Sequence, residues 1–225
     1  MSKLRRGLNG IRTFNPVVGC DIGCSYCYAR RFNKRYKIVP KFHEPTFMEY
    51  RLHQLYGRRG HVYFSTSMSD LSGWKPEWRQ KIFKAFRDNP QHIFLVLTKR
   101  PGRCWYKIDE DNVWMGVTLT TIDDVERIDM MTWNTPAKHY WLCIEPIFED
   151  LGTLNLEKID WIVIGAETGP AKDKVVPEKR WIMNIVKQAD EYGIPVSMKD
   201  SLEEIVGKEN FRSDLPKSFV KLIAD

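Results

Sequence analysis

The chain has 225 residues, of which 43% are hydrophobic and 28% are charged, without a low-complexity tract. This composition excludes a disordered or fibrous protein and predicts one globular domain over residues 1–225. No run of about 18 apolar residues occurs, and no apolar segment follows the basic N-terminus, so we expect neither membrane insertion nor export.

Positive charge is concentrated in the first part of the chain. Residues 1–60 contain thirteen Lys and Arg against three Asp and Glu, a balance of +10, whereas the rest carries a balance of −4. A local excess of positive charge predicts a polyanionic partner, such as DNA or RNA. Three of the five cysteines lie within eight residues, which is unlike a secreted disulfide framework and indicates a reducing cytoplasm.

Short apolar segments alternate with amphipathic stretches along the chain, and this pattern predicts parallel β-strands with helices between them. The predicted strands are Ile11–Asn15, His61–Ser65, Ile93–Thr98, Val113–Thr118, Tyr140–Ile144, Trp161–Gly165 and Pro195–Lys199. Helical stripes begin near Pro76, Thr121 and Pro177. The common phosphate-binding motifs GxGxxG and GxxxxGK[ST] are missing, which favours an α/β partial (β/α)6-type TIM barrel over an open doubly wound sheet.

A cluster of cysteines follows the first predicted strand. Cys20, Cys24 and Cys27 lie in the segment GCDIGCSYCY, where Gly19 and Gly23 permit a tightly curved loop. Three thiolates at this spacing can ligate three corners of a [4Fe–4S] cluster and leave one iron open.

Two other interpretations of the same cysteines stay open from the residues alone. The first is a zinc site that takes His43 or His61 as its fourth ligand. The second is a redox pair formed by Cys24 and Cys27, which gives Cys20 no role.

The segment CDIGCSYC is similar to the CxxxCxxC motif of the radical S-adenosylmethionine (SAM) superfamily, including Tyr26 as the aromatic residue before the third cysteine. The resemblance implies that SAM chelates the open iron and that Tyr26 approaches its adenine. It also implies a partial barrel of the radical SAM kind, a 5′-deoxyadenosyl radical that abstracts hydrogen from the substrate, and a flavodoxin- or ferredoxin-like electron donor.

A closer resemblance covers nearly the whole chain. Phage and prokaryotic proteins of the Gp37/Gp68 type (DUF5131), a branch of the radical SAM group, carry similar landmarks in the same order. In this chain they are FNPVVGC at Phe14–Cys20, SMSDL at Ser67–Leu71, VLTKRP at Val96–Pro101, GVTL at Gly116–Leu119, IEP at Ile144–Pro146, IGAETGP at Ile164–Pro170 and VSMK at Val196–Lys199. The chain departs from that family at Ile144 and Ala166, where cysteine and glycine are common.

Polar residues at the ends of the predicted strands are expected to surround the cofactors. The predicted SAM-binding residues are Tyr26, Ser65, Thr66, Ser67, Asp70, Thr98, Thr118 and Glu167. Residues 65–67 stand where many radical SAM enzymes carry a GGE-like segment for the SAM amino group, and the IGAE stretch resembles part of the segment near the adenine. For Asp70 a helix cap is the alternative.

Three residues late in the strands are predicted to be catalytic: Glu145, Lys199 and Cys143. The first two are charged groups at strand ends. Cys143 would be a hydrogen-atom donor, as in repair lyases of the superfamily, if its side chain faced the barrel. A small buried core residue is the alternative that we favour for it.

A basic stretch runs from Tyr28 through Lys37, directly behind the cysteines. A helix there would bury Tyr28, Phe32 and Tyr36 on one side and present cations elsewhere. The predicted nucleic-acid-binding residues are Arg30, Arg31, Lys34, Lys37, Lys99 and Arg100. A solvated helix face without a partner is the alternative.

Taken together, these features predict a radical SAM enzyme that acts on a nucleobase, or on a group attached to one, in DNA or RNA. One alternative is the same chemistry on a small metabolite or peptide. The other is a zinc-containing nucleic-acid-binding module without catalysis.

Overall fold

The computed structural model describes residues 6–169 and 173–223, so Pro170 of the IGAETGP landmark lies outside the described residues. In chain order the elements are α1 (Arg6–Asn9), β1 (Arg12–Thr13), β2 (Val17–Val18), α2 (Tyr28–Tyr36), β3 (Thr46–Phe47), β4 (Val62–Phe64), α3 (Pro76–Arg87), β5 (Ile93–Thr98), β6 (Val113–Thr118), α4 (Arg127–Asn134), β7 (His139–Ile144), β8 (Trp161–Ile164), α5 (Lys179–Glu191), β9 (Val196–Met198), α6 (Glu203–Val206) and α7 (Lys217–Ile223). Within the described ranges, every helix is too short or too polar to cross a bilayer.

Seven parallel strands form one sheet in the order β1-β4-β5-β6-β7-β8-β9, and the sheet curls into a half-barrel with helices around it. The predicted α/β partial barrel is therefore confirmed. Strands β5 and β6 begin and end where the sequence predicts. The edge strands β1 and β9 and the interior strands β4 and β8 are shorter than predicted.

Two local elements differ from the sequence prediction. The pair β2 and β3 forms a small antiparallel sheet that sequence periodicity did not indicate, because strands of two residues have no period to detect. The helix expected from Thr121 is a 3-10 turn at Ile122–Asp124, and the α-helix begins only at Arg127.

The two faces of the sheet carry separate apolar clusters. Alternate residues of the strands point outward and pack against α3, α4 and α5, as Phe94 and Val96 do. The inward residues include Trp114 and Trp161, whose ring centroids lie 4.7 Å and 5.2 Å from the ring centroid of Phe219 in α7. Because Trp114 and Trp161 stand at the starts of their strands, α7 covers that end of the inner face and leaves the carboxyl end open.

Candidate active site at the carboxyl ends of the strands

A cavity of about 440 Å³ lies between the cysteine loop and the inner face of the half-barrel. We call it the main cavity. Its floor is apolar, and its rim carries polar and charged groups from the strand ends. Of the predicted site residues, those on its wall are Cys20, Cys24, Tyr26, Cys27, Arg31, Thr66, Ser67, Asp70, Lys99, Thr118, Cys143, Glu145, Glu167 and Lys199. The fold thus brings together residues that are far apart in sequence.

The cysteine loop is held in place by backbone contacts. Gly19 has a φ of +113°, and a Cβ at this position would lie 2.9 Å from the carbonyl oxygen of Phe42, so only glycine fits without strain. The N–H of Gly19 donates to the carbonyl oxygen of Met68 at 2.9 Å, and the N–H of Cys20 donates to that of Phe42 at 2.6 Å. The loop is thereby anchored beside the end of β4.

The donor set on this wall suits an iron–sulfur cluster by its chemistry, since three thiols share one cavity. The thiols do not converge on a common point. Cys27 caps α2, its sulfur accepting a hydrogen bond from the N–H of Arg30 at 3.4 Å. Within the described residues, no group of three or more His, Cys, Asp or Glu side chains has a metal-binding arrangement.

Tyr26 and Lys99 meet inside the main cavity. The Nζ of Lys99 donates to the phenol oxygen of Tyr26 at 2.9 Å, and the tyrosine ring packs edge-on against Phe148 with centroids 5.5 Å apart. Burial raises the pKa of Tyr26 and lowers the pKa of Lys99. Lys99 therefore belongs to the cavity wall, and its predicted contact with nucleic acid stays a prediction.

Arg100 holds the cysteine loop. Its guanidinium pairs with Asp21, and its Nε donates to the hydroxyl of Ser72 at 3.2 Å. The hydrogen bond from Arg100 lowers the pKa of Asp21. This cation thus already has an anionic partner, and its predicted contact with nucleic acid stays a prediction.

Asp70 caps the 3-10 turn at Leu71–Gly73, which was the alternative to its predicted contact with SAM. Its Oδ1 accepts from the N–H of Ser72 at 2.9 Å and from the Thr98 hydroxyl at 2.6 Å, and its Oδ2 accepts from the N–H of Lys99 at 2.8 Å. The carboxylate fastens the turn after β4 to the end of β5. Thr98 is fully buried beside it and does not line the cavity. Contacts of either residue with SAM stay predictions.

Two buried hydroxyls near the same turn are unsatisfied. Ser65 Oγ and Thr66 Oγ1 have no hydrogen-bond partner among the described residues, and Thr66 lies on the cavity wall. A buried hydroxyl without a partner costs free energy unless a ligand or water satisfies it. Ser67 differs, because its hydroxyl donates to Asn15 Oδ1 at 3.0 Å.

Glu145 and Lys199 face each other across β8. The Nζ of Lys199 lies 3.5 Å from Oε2 of Glu145, and both side chains are half-buried. A Cβ at Gly165 would lie 2.9 Å from Cγ of Lys199 and 3.0 Å from Cδ of Glu145. The absence of a side chain at Gly165 therefore lets the two charged groups approach.

Cys143 satisfies the geometric condition for a hydrogen-atom donor and is also buried. It lies on the inner face and on the cavity wall with 8% exposure, and burial raises its pKa to about 12. The side chain is thus a neutral thiol that faces the cavity. Its catalytic role stays a prediction.

The DUF5131 family, described as a protein of unknown function, matches residues 10–208. The chain belongs to this family. No curated protein matches it. Among solved structures, a cysteine-to-alanine mutant of spore photoproduct lyase aligns with a TM-score of 0.43 and 8% identity, over 84% of this chain and 72% of the lyase.

The sequence prediction for α2 of this DUF5131 protein was wrong in one respect. Tyr28, Phe32 and Tyr36 are 53%, 44% and 54% exposed, whereas Ala29 and Asn33 are the buried residues. The reason is that α2 lies on the rim of the half-barrel and contacts the rest of the protein along one narrow side. The side chain of Asn33 makes two hydrogen bonds there, to the backbone of Val39.

Several residues of the DUF5131 site were missed by sequence reasoning. Trp141 and Trp161 line the cavity floor, and the indole N–H of Trp141 lies 3.2 Å from the carbonyl oxygens of Val96 and Trp114. Strand alternation could have identified Trp141, because it stands two residues before Cys143 and must share its face of the sheet.

The fold places one histidine of the zinc interpretation, His61, away from the three thiols, whereas His43 lines a surface cavity together with Cys20. His61 stands before β4 and stacks on His92 with ring centroids 5.6 Å apart, at the end of the strand opposite to the cysteine loop. His43 lies at an exposed position beside Glu44, 3.5 Å from its carboxylate.

Proposed function

We propose that this DUF5131 protein is a radical SAM enzyme that acts on a nucleobase, or on a group attached to one, in DNA or RNA. The observation that carries the proposal is that Cys20, Cys24 and Cys27 share one cavity with polar strand ends. When bound there, a [4Fe–4S] cluster and SAM would supply a 5′-deoxyadenosyl radical that abstracts hydrogen.

The residues of the main cavity would divide the remaining tasks. The three thiols would hold the cluster, and the unsatisfied hydroxyl of Thr66 would bind a polar group of SAM. Glu145 and Lys199 offer opposite charges that can orient a zwitterionic or hydrogen-bonding ligand. The tryptophan floor would keep water from the inner side of the cavity and so protect a reactive intermediate from side reactions.

The exposed side of α2 supports a nucleic-acid substrate. The ring centroids of Phe32 and Tyr36 lie 4.4 Å apart on the protein surface, and Tyr28 continues this aromatic strip to the main cavity. Arg31 lines the cavity mouth and donates to the carbonyl oxygen of Tyr26 at 3.1 Å. Aromatic rings beside a cation form a stacking platform for single-stranded bases, and an extruded base could enter the cavity from it.

The cluster is tested by anaerobic reconstitution with iron and sulfide. We expect about four iron atoms for each chain and a brown chromophore, with release of 5′-deoxyadenosine from SAM under dithionite. Single alanine substitutions of Cys20, Cys24 and Cys27 should abolish cluster assembly and 5′-deoxyadenosine release. Cys104→Ala changes a buried cysteine outside the cavity and should retain both activities. One tightly bound zinc ion without visible absorption would show that the zinc-module alternative is correct.

The substrate class is tested by fluorescence anisotropy with single-stranded DNA and RNA oligonucleotides at low salt. Phe32→Ala should weaken binding by about 5- to 100-fold, as expected for one lost stacking contact. The control is Tyr56→Ala, which changes a more exposed aromatic residue outside α2 and should bind normally. Complete absence of oligonucleotide binding would favour the small-metabolite or peptide alternative.

A further inference from the structure

A cavity of about 470 Å³ lies between α2 and the cysteine loop. We call it the rear groove. Its α2 wall consists of Arg30, Asn33, Lys34 and Lys37, three of which are cations at helical spacing. The aromatic residues of α2 are not among its lining residues, and Tyr28 lines the main cavity instead. The helix thus separates an aromatic side, next to the main cavity, from a basic side.

The positive charge of the rear groove is uncompensated. Arg30, Lys34 and Lys37 are exposed, and none of them has an ion-pair partner among the residues that the structure describes. The one carboxylate in the wall, that of Asp21, is already paired with Arg100. An anion that enters the groove therefore meets free cations.

The backbone of Lys37 is a second, independent observation. Lys37 ends α2 with a φ of +51° and a ψ of +42°, and in the described ranges it is the only residue other than glycine with a positive φ. Glycine and asparagine are favoured after a helix because they adopt this conformation with less strain. A lysine here is explained if the position requires its charge more than conformational ease.

Cations also occupy the outward face of α2, between its aromatic and basic sides. Arg31 stands at the mouth of the main cavity, and Arg35 is exposed with its guanidinium carbon 5.3 Å from the ring centroid of Tyr36. The positive charge therefore continues from the mouth of the main cavity, over the outside of the helix, into the rear groove.

We propose that a single strand of nucleic acid crosses α2, with its bases stacked on the aromatic strip and its phosphates bound in the rear groove. The inference rests on the nucleic-acid substrate of the proposed function and adds the path and the strandedness of that substrate. It requires no cluster, since binding of the strand involves only side chains of α2 and the groove.

The two sides of α2 suit different parts of such a strand. The rings of Phe32 and Tyr36 are exposed, and they can stack only on bases that are free of a complementary strand. The one aromatic ring of the rear groove, that of Phe42, is 8% exposed and offers no surface for a base. The groove therefore suits phosphates, which bind to cations without regard to sequence.

The test compares the double variant Lys34→Gln/Lys37→Gln with Lys158→Gln/Lys187→Gln, which removes the same charge at exposed positions outside the groove. Fluorescence anisotropy measures binding of the full-length protein to a labelled single-stranded oligonucleotide of about 12 nucleotides over a series of salt concentrations. Two lost phosphate contacts should reduce the slope of log K against log salt by about 1.4 and weaken binding by about 10- to 30-fold at low salt. The control variant should keep the wild-type slope.

Two single variants separate phosphate binding from stacking and from folding. Phe32→Ala should weaken binding with an unchanged salt slope, because stacking releases no counterions. Lys37→Gly should reduce the slope by about 0.7. Its melting temperature should equal or exceed that of the wild type, because glycine relieves the positive φ. Weaker binding by Lys37→Gly would then not result from a damaged fold.

Equal salt slopes in the two double variants would overturn phosphate binding in the groove. Equal affinity of the wild type for a duplex of the same sequence would overturn the single-strand path. If the groove variant lost affinity for poly-L-glutamate but not for the oligonucleotide, the groove would belong to an acidic polypeptide.

Failure of the proposed function gives different results. A wild type that binds no oligonucleotide at low salt would overturn the nucleic-acid substrate and the strand path together. A wild type that binds the oligonucleotide with the expected slope but assembles no cluster would overturn the radical chemistry alone.

Discussion

The Nζ of Lys99 and the phenol oxygen of Tyr26 are joined by a hydrogen bond of 2.9 Å that links the end of β5 to the cysteine loop. The same loop is held from the other side by the pair of Arg100 and Asp21. Two adjacent cations after one strand therefore position a loop that lies more than seventy residues earlier in the sequence.

The contact between Lys99 and Tyr26 predicts a measurable coupling energy. Tyr26→Phe should lower the free energy of unfolding by about 1–2 kcal/mol, because a partly buried ammonium loses its acceptor. In a Lys99→Met background the same substitution should cost little, giving a coupling of about 1 kcal/mol in a double-mutant cycle. Urea denaturation gives the free energy of unfolding of the wild type, the two single variants and the double variant. Additive losses of stability in the double variant would contradict the contact.

Asp70 is predicted to stabilise the protein through the turn after β4. Asp70→Asn should lower the free energy of unfolding by about 1–3 kcal/mol, because an amide cannot accept from all the donors that meet this carboxylate. The matched control is Asp111→Asn, whose carboxylate is 78% exposed in its pair with Lys138 and should change stability by less than about 0.5 kcal/mol. Equal midpoints in urea for the two variants would rule out this role.

Gly116 is predicted to be required for the position of Trp141 on the cavity floor. A Cβ at Gly116 would lie 2.5 Å from Nε1 of Trp141, so Gly116→Ala should destabilise the protein by about 1–3 kcal/mol through overpacking. At Gly102, by contrast, a Cβ would meet nothing within 4 Å. Thermal unfolding of Gly102→Ala should therefore follow the wild type, and a wild-type melting curve for Gly116→Ala would show that the indole can move.

The buried histidine His92 is predicted to make stability depend on pH. Its Nδ1 accepts from the N–H of His61 at 3.1 Å, which requires the neutral ring, and burial lowers the pKa of His92. The unfolded chain therefore binds more protons below the usual histidine pKa of about 6.5. Stability should be full above that pH and fall as the pH drops towards the lowered pKa of the folded state.

Urea denaturation between about pH 7.5 and about pH 5.5 checks this dependence. His92→Gln should show a smaller loss of stability over the interval than the wild type does. His53→Gln changes an exposed histidine and should keep the wild-type slope. Parallel curves for all three proteins would exclude His92 as the source.

The sequence by itself determined the features that depend on neighbouring residues. The apolar runs of β5 and β6 have boundaries that match the prediction, because continuous apolar segments between turn residues specify buried parallel strands. The spacing of Cys20, Cys24 and Cys27 is likewise local, so it identified the thiol wall of the main cavity without any knowledge of the fold.

Only the tertiary structure decided which side chains meet. It placed Lys99 against Tyr26, and it turned Cys143 towards the cavity. It also left Phe32 exposed, although its helical spacing had predicted a buried stripe. The physical reason is that an apolar stripe is buried only where another element covers it, and α2 lies at the open rim of the half-barrel. Contacts between distant strand ends arise from the curl of the sheet, which no local pattern encodes.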